Sequence, residues 1–126
     1  MARPLPKLGR VQHRIMRSLW ERGSATAREI TEDLNRERPI SHSAVQTLIR
    51  ELEAKGAVTH DPADRAFVFR PLVREEDVRR SLARDLVDRA FDGSVYGLVA
   101  HLLESERIPP EELIRLRELI EKETDR

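Results

Sequence analysis

The residues of this 126-residue sequence best suited to chemistry are polar side chains on one face of a predicted helix. In the stretch S-H-S-A-V-Q-T-L-I-R, apolar residues recur at helical spacing, and the other positions carry short hydrogen-bonding groups and one arginine. Such groups suit the base edges of DNA, since Gln46 can pair with adenine, Thr47 can contact thymine, and Arg50 can reach guanine or phosphate. The alternative is that this face is merely solvated. The candidate contact residues on this helix are Ser41, His42, Ser43, Gln46, Thr47 and Arg50.

Two further predicted helices must hold this polar helix in place. Apolar residues at helical spacing indicate a first helix over residues 10–22, closed by Gly23, and a second helix that Ser24 or Thr26 can cap and that runs to about residue 35. Ser41 can cap the third helix, and Gly56 follows its predicted end. The second and third helices are joined by a short connection, as in a helix-turn-helix, whose second helix lies in the major groove. The third helix turns a continuous apolar stripe toward the core, formed by Val45, Leu48, Ile49 and Leu52.

Beyond Gly56 the apolar period changes to two, which is typical of strands. We predict strands at residues 57–60 and 66–70, joined by the five-residue turn D-P-A-D-R. Three helices followed by a hairpin is the order of a winged helix, in which the hairpin is the wing. The fold is therefore predicted to be mainly α-helical with a small β-hairpin. We interpret three aromatic residues as packing residues rather than as stacking platforms for single strands: Trp20, Phe67 and Phe69.

The C-terminal part is predicted to contain three more helices, which are unusually apolar. We assign residues 8–73 to the winged helix-turn-helix domain and residues 74–126 to a helical dimerisation domain. These helices could instead pack back onto the first domain. We favour burial against a second copy, because the fifth helix is apolar on nearly every turn. The residues predicted to form the dimer interface are Val78, Leu82, Leu86, Leu98, Val99, Leu102, Leu103, Leu113, Leu116 and Ile120.

The charge distribution also separates two parts of the chain. The sequence has no net charge, but residues 1–73 contain 13 Lys and Arg against 9 Asp and Glu, whereas residues 74–126 contain 10 against 14. A basic first part suits the phosphate backbone of a nucleic acid. The basic side chains outside the third helix that we predict to contact DNA are Arg10, Arg28 and Arg65.

The composition argues against several other classes of protein. The sequence has no cysteine, which excludes disulfides, thiolate metal sites and thiol catalysis. Its four histidines lie on different predicted elements without the spacing of metal ligands, so we expect neither enzyme activity nor a metal or cofactor. We also expect no secretory signal and no membrane-spanning segment, which predicts a cytoplasmic protein.

Several longer stretches resemble the penicillinase and methicillin-resistance repressor family of bacteria. They are L-W-E-R-G-S-A-T-A-R-E-I, S-H-S-A-V-Q-T-L-I-R-E-L-E-A-K-G-A-V, D-R-A-F-V-F-R-P-L-V and F-D-G-S-V-Y-G-L-V-A-H-L-L-E-S-E. The resemblance covers about residues 8–123 and implies a homodimeric winged-helix repressor of a palindromic operator. Its targets would be β-lactamase-type resistance or cell-wall-stress genes and its own operon. The resemblance also implies base contacts at Gln46 and Thr47 and phosphate contacts near Ser41 and Ser43.

The same resemblance implies regulation by a membrane sensor-protease that cuts the repressor within its dimerisation region. The matching bond is His101–Leu102, where well-known members have Asn followed by Phe. Ser43 and Glu51 stand where the family often has Lys and Arg, so the family's usual operator sequence is not carried over. A copper-responsive branch senses metal through C-terminal cysteines, which this sequence lacks.

Two alternative functions stay open at the level of the sequence. One is a winged-helix module that contacts proteins instead of DNA. The other is a ligand-sensing regulator of another winged-helix family, which would have a pocket between its two domains.

Overall fold

The computed structural model describes residues 5–63 and 66–126, and its elements follow the predicted order. The first five elements are α1 (Arg10–Arg22), α2 (Ala27–Asn35), α3 (His42–Ala54), β1 (Val58–Ala63) and β2 (Ala66–Pro71). The last three are α4 (Glu75–Ala90), α5 (Val95–Ser105) and α6 (Pro110–Thr124). The predicted mainly helical fold with a small hairpin is therefore confirmed. The chain divides into two compact units, one ending at Leu82 and the other running from Ala83 to Arg126.

Local signals explain where the first three helices begin and end. The Thr26 hydroxyl accepts a hydrogen bond from the Glu29 backbone N–H at 3.2 Å, and the Glu29 carboxylate accepts one from the Thr26 N–H at 2.9 Å. This reciprocal pair begins α2. Ser41 begins α3 in a similar way, since its hydroxyl accepts from the Ala44 N–H at 3.1 Å. Gly23 follows α1 with a φ of 84°, a conformation that residues with a Cβ atom rarely adopt.

The core of the first unit lies between α1, α2, α3 and the hairpin. The Ala25 N–H donates to the Phe69 carbonyl at 2.9 Å and the Phe69 N–H donates to the Ala25 carbonyl at 2.8 Å, so the wing is fixed to the segment between α1 and α2. The Trp20 indole N–H donates to the Val73 carbonyl at 2.9 Å, in keeping with the predicted packing role of Trp20. The largest fully buried side chains are Ile15, Met16, Leu19, Ile30, Val45, Ile49, Leu52 and Val58.

The hairpin is longer than the sequence predicted. Strand β1 pairs antiparallel with β2, from Val58 opposite Pro71 to Ala63 opposite Ala66. The predicted five-residue turn at residues 61–65 is therefore wrong, because residues 61–63 belong to the paired strand. On β2, 55% of the surface of Phe67 is exposed. Phe67 is therefore not a core residue, although its ring packs against His60 of β1 with the ring centroids 4.4 Å apart, whereas Phe69 is buried.

The second unit contains the end of α4 together with α5 and α6. The Ser94 hydroxyl caps α5 by accepting from the Gly97 N–H at 2.9 Å, and α6 begins at Pro110. In the described part of the chain, no helix has the length and apolar character needed to cross a bilayer. Val87 is buried, but many large apolar side chains of this unit stay exposed: Leu86, Val95, Leu102, Leu103, Leu113, Ile114, Leu119 and Ile120.

Candidate nucleic-acid interface

The outer face of α3 presents the polar side chains on which the sequence analysis depended. Val45, Ile49 and Leu52 point into the core, so the positions between them face outward. Within the described residues, the side chains of Gln46 and Arg50 have no hydrogen-bond partner, which leaves their donors and acceptors free for a ligand. The exposed members of the predicted set are Ser41, His42, Ser43, Gln46, Thr47 and Arg50.

Hydroxyl groups at the start of α3 are oriented by short local contacts. Ser41 Oγ lies 3.3 Å from Ser43 Oγ, and Thr47 Oγ1 donates to the Ser43 carbonyl at 3.1 Å. The first turn of a helix carries a partial positive charge and free N–H groups, which favour an anion. Ser41 and Ser43 are therefore well placed for a phosphate group, and Thr47 is exposed one turn further along the helix.

A groove between α3 and the wing gathers several of the predicted contact residues. It has a volume of about 620 Å³ and is lined by the first turn of α2, by α3 and by both strands. Phe67 and Phe69 form its apolar part, and Arg28 and Arg50 supply positive charge. The residues of α3 that line the groove are spaced four or three positions apart and so lie on one face of the helix: His42, Gln46, Arg50 and Glu53.

The wing is joined to α3 by a contact that the sequence analysis missed. His60 Nδ1 on β1 donates to Glu53 Oε2 on α3 across 2.5 Å. The centroid of the His60 ring lies 4.4 Å from that of Phe67 and 5.8 Å from that of Phe69. This cluster fixes the wing beside the polar face of α3. Hydrophobic periodicity within one element does not predict contacts between a helix and a strand. The only sequence signal for the His60–Glu53 contact was therefore the presence of His60 in the first predicted strand.

His42 is held by α2, which the sequence analysis also missed. Thr31 Oγ1 donates to the Ala27 carbonyl at 2.7 Å, and the same oxygen lies 3.3 Å from His42 Nδ1. The contact links the two helices of the helix-turn-helix at the edge of the groove. Thr31 gave no sequence signal, because it lies eleven residues before His42 on a different helix.

The predicted basic residues outside α3 do not all come together. Arg28 lines the groove, but Arg10, the first residue of α1, lines a separate hollow beside Leu8 and His13. Arg65 lies outside the described residues. Glu51 on α3 accepts a hydrogen bond from Gln12 Nε2 on α1 at 3.0 Å.

An ion cluster joins α1 to α2 and so stabilises the helix-turn-helix. Arg22 donates to both carboxylate oxygens of Asp33, at 2.7 and 2.9 Å, and Ser18 Oγ donates to Asp33 at 2.7 Å. The Arg22 hydrogen bonds, helped by Ser18, lower the pKa of Asp33 to about 2. The hydrogen bonds from Thr26, chiefly that of its backbone N–H, also lower the pKa of Glu29. Both carboxylates are therefore ionised at neutral pH.

Comparison with known protein families assigns the chain. The model of the penicillinase repressor family matches residues 8–122. The chain belongs to this family. The penicillinase repressor of Bacillus licheniformis is 25% identical over 122 residues, which cover 97% of this chain and 95% of the relative. The methicillin resistance regulatory protein MecI of Mammaliicoccus sciuri is 26% identical over 108 residues, or 86% of this chain and 88% of the relative.

Solved structures of the repressor BlaI share the winged-helix fold of this chain. The solution structure of the DNA-binding domain of the repressor BlaI matches with a TM-score of 0.54 and 26% identity, covering 60% of this chain and 93% of that one. The Bacillus licheniformis BlaI monomeric form in complex with the blaP half-operator matches with a TM-score of 0.51 and 27% identity. That match covers 59% of this chain and 90% of the other. The predicted winged helix-turn-helix is confirmed.

Proposed function

We propose that this member of the penicillinase repressor family is a dimeric transcriptional repressor that binds a palindromic operator through α3. Its targets would be β-lactamase-type resistance or cell-wall-stress genes and its own operon. The observation that carries the proposal is the outer face of α3, where Gln46 and Arg50 are exposed and have no partner among the described residues. Family membership and the likeness to BlaI in complex with a half-operator support the same function.

Within this proposal, the residues around α3 divide into those that read bases and those that bind the backbone. Gln46 would pair with adenine, Thr47 would contact a thymine methyl group, and Arg50 would reach guanine or a phosphate. Contacts with the phosphate backbone determine affinity and salt dependence more than sequence preference. They would come from Ser41, Ser43 and Arg28.

The proposed dimer rests on the apolar surface of the C-terminal helices. Leu119 and Ile120 are 56% and 57% exposed in the single chain, and Val95 is 56% exposed. Large apolar patches of this kind mark interaction sites, and a two-fold dimer would cover the same patch on both copies. The predicted interface residues that are exposed or only partly buried are Leu82, Leu86, Leu98, Val99, Leu102, Leu103, Leu113, Leu116 and Ile120. Val78 differs from them, because at 3% exposure it offers little surface to a second copy.

Relief of repression by a membrane sensor-protease would require a local change in α5. The His101–Leu102 bond lies inside this helix, and the His101 carbonyl accepts a further hydrogen bond from Ser105 Oγ at 2.6 Å. A helical segment must open before a protease can cleave it. Cleavage at this bond would remove α6 from the rest of the chain, and with it Leu113, Leu116 and Ile120.

Binding to the DNA upstream of the protein's own coding sequence tests the proposal. The full chain would be titrated with that fragment and with an unrelated fragment at two salt concentrations. The matched pair of variants is Gln46→Ala/Thr47→Ala and, on an exposed position of α1, Glu21→Ala. Loss of base contacts worth about 1–3 kcal/mol each should weaken binding to the upstream fragment by at least about tenfold in the double variant.

The outcomes separate the proposed function from the two alternatives. Preferential binding that persists at the higher salt and disappears in the double variant supports a repressor that reads DNA through α3. Equal, salt-sensitive binding to both fragments would contradict sequence-specific repression and leave only phosphate contacts. No binding to either fragment would favour a protein-contact module, and release by a small molecule without proteolysis would favour a ligand sensor.

A further inference from the structure

We propose that His42 reads the exocyclic amino group of adenine or cytosine through its Nε2 atom, and that Thr31 is the positioning residue that selects the required tautomer. The inference rests on the proposed function, because it names the base edge that this interface recognises. Neither residue's role follows from the family resemblance, which concerns Gln46, Thr47 and the two serines.

The hydrogen bonds of Thr31 determine which nitrogen of His42 carries the proton. A threonine hydroxyl has one proton and two lone pairs. Its proton is directed to the Ala27 carbonyl, 2.7 Å away, as is common for threonine within a helix. The Thr31 oxygen can therefore only accept from His42 Nδ1, which lies 3.3 Å away. In a neutral imidazole with its proton on Nδ1, Nε2 is an acceptor.

The position of His42 gives this acceptor a restricted choice of partners. His42 is the first residue of α3 and lines the groove, and the N-terminal residues of a recognition helix contact base edges. In the major groove, the only donors are the N6 amino group of adenine and the N4 amino group of cytosine. Guanine and thymine present acceptors at the corresponding positions, so an Nε2 lone pair would be repelled by them.

Gln46 provides a local reference for the base that His42 would read. The two residues lie one turn apart on the same stripe of α3, which corresponds to about 6 Å along the helix. Base pairs are stacked at roughly 3.4 Å, so the two recognised positions should be about two base pairs apart. We therefore expect each half-site to prefer adenine or cytosine at one position about two base pairs from the adenine that Gln46 contacts.

Selection from randomised DNA with the full chain tests this inference. At pH 8, the wild type should select adenine or cytosine at one position of each half-site. In His42→Ala that single preference should disappear, and affinity for the selected site should fall about two- to twelve-fold, the worth of one hydrogen bond. Thr31→Val, which keeps the shape of the side chain but removes the hydroxyl, should weaken the same preference, whereas Thr31→Ser should retain it.

A second measurement reports on the tautomer without DNA. The nitrogen NMR shifts of the His42 ring should indicate a proton on Nδ1 in the wild type and in Thr31→Ser, and a shift toward the Nε2 form in Thr31→Val. A merely structural role of Thr31 would not change the tautomer.

Each other outcome overturns the inference in a recognisable way. A His42-dependent preference for guanine or thymine, or an Nε2 proton in the wild type, would show that the assigned tautomer is wrong. Sequence-specific binding in which no position depends on His42 would refute the inference and leave the proposed repressor function intact. Absence of any sequence-specific binding would refute both.

Discussion

Ile120→Ala should weaken the proposed dimer of the full chain by about 30- to 140-fold. In the single chain 57% of the surface of Ile120 is exposed. Complete burial of such a side chain contributes about 1.5–3 kcal/mol, so burial of the exposed part contributes about 1–1.5 kcal/mol. A two-fold dimer loses this contribution in both copies, which gives about 2–3 kcal/mol in total. Alanine favours helix, so α6 should keep its structure.

Sedimentation equilibrium of the wild type and the variant measures this effect directly. The matched control is Lys122→Ala, because position 122 lies two residues further along α6 and points away from the side that carries Ile120. The control should leave the dimer constant unchanged, and circular dichroism should show equal helix content in all three proteins. An Ile120→Ala protein that dimerises as tightly as the wild type would refute the assignment of this face to the interface.

Three further predictions concern stability, DNA affinity and proteolysis. Asp33→Asn should lower the free energy of unfolding at pH 7 by about 1 kcal/mol after allowance for solvent screening. Because the pKa of Asp33 is lowered to about 2 from 3.8, this stabilisation is present above pH 4 and should disappear as the pH falls toward 2. Urea unfolding of the wild type and Asp33→Asn over this pH range measures it, and a difference in unfolding free energy that does not change with pH would contradict the ion-pair account. Arg28→Ala should weaken binding equally for all DNA sequences and reduce the salt slope of log K by about 1, while a loss confined to one sequence would indicate a base contact instead. Ser94→Ala removes the cap of α5 and should speed proteolysis at or near the His101–Leu102 bond, as followed by mass spectrometry. An unchanged rate of cleavage would show that opening of α5 does not limit proteolysis.

The order and bounds of the helices could be predicted because their signals are local. The ends of the first three helices are marked within a few residues by Thr26 with Glu29, by Ser41 and by Gly23. The apolar stripes determine which face of each helix is buried. The polar face of α3 could be predicted from the same pattern, because a helix that buries its apolar face must expose the opposite face.

The remaining features depend on contacts between elements that no local period reveals. Pro62 suggested a turn, but the pairing of β1 with β2 continues past it to Ala63. The contacts of Glu53 with His60 and of Thr31 with His42 join residues from different elements. They decide how the wing and the first turn of α3 are held, and only the folded chain brings them together.

In the proposed complex, α3 of each protomer lies in the major groove of one half of the operator. Methylation protection with dimethyl sulfate tests it, because this reagent modifies guanine N7 in the major groove and adenine N3 in the minor groove. On the upstream fragment, the wild type should protect guanine N7 in two clusters separated by one helical turn, roughly 34 Å, or a multiple of it. Gln46→Ala/Thr47→Ala should give no such protection at the same concentration. A bound fragment whose guanines all stay reactive, or protection confined to adenine N3, would contradict the claim.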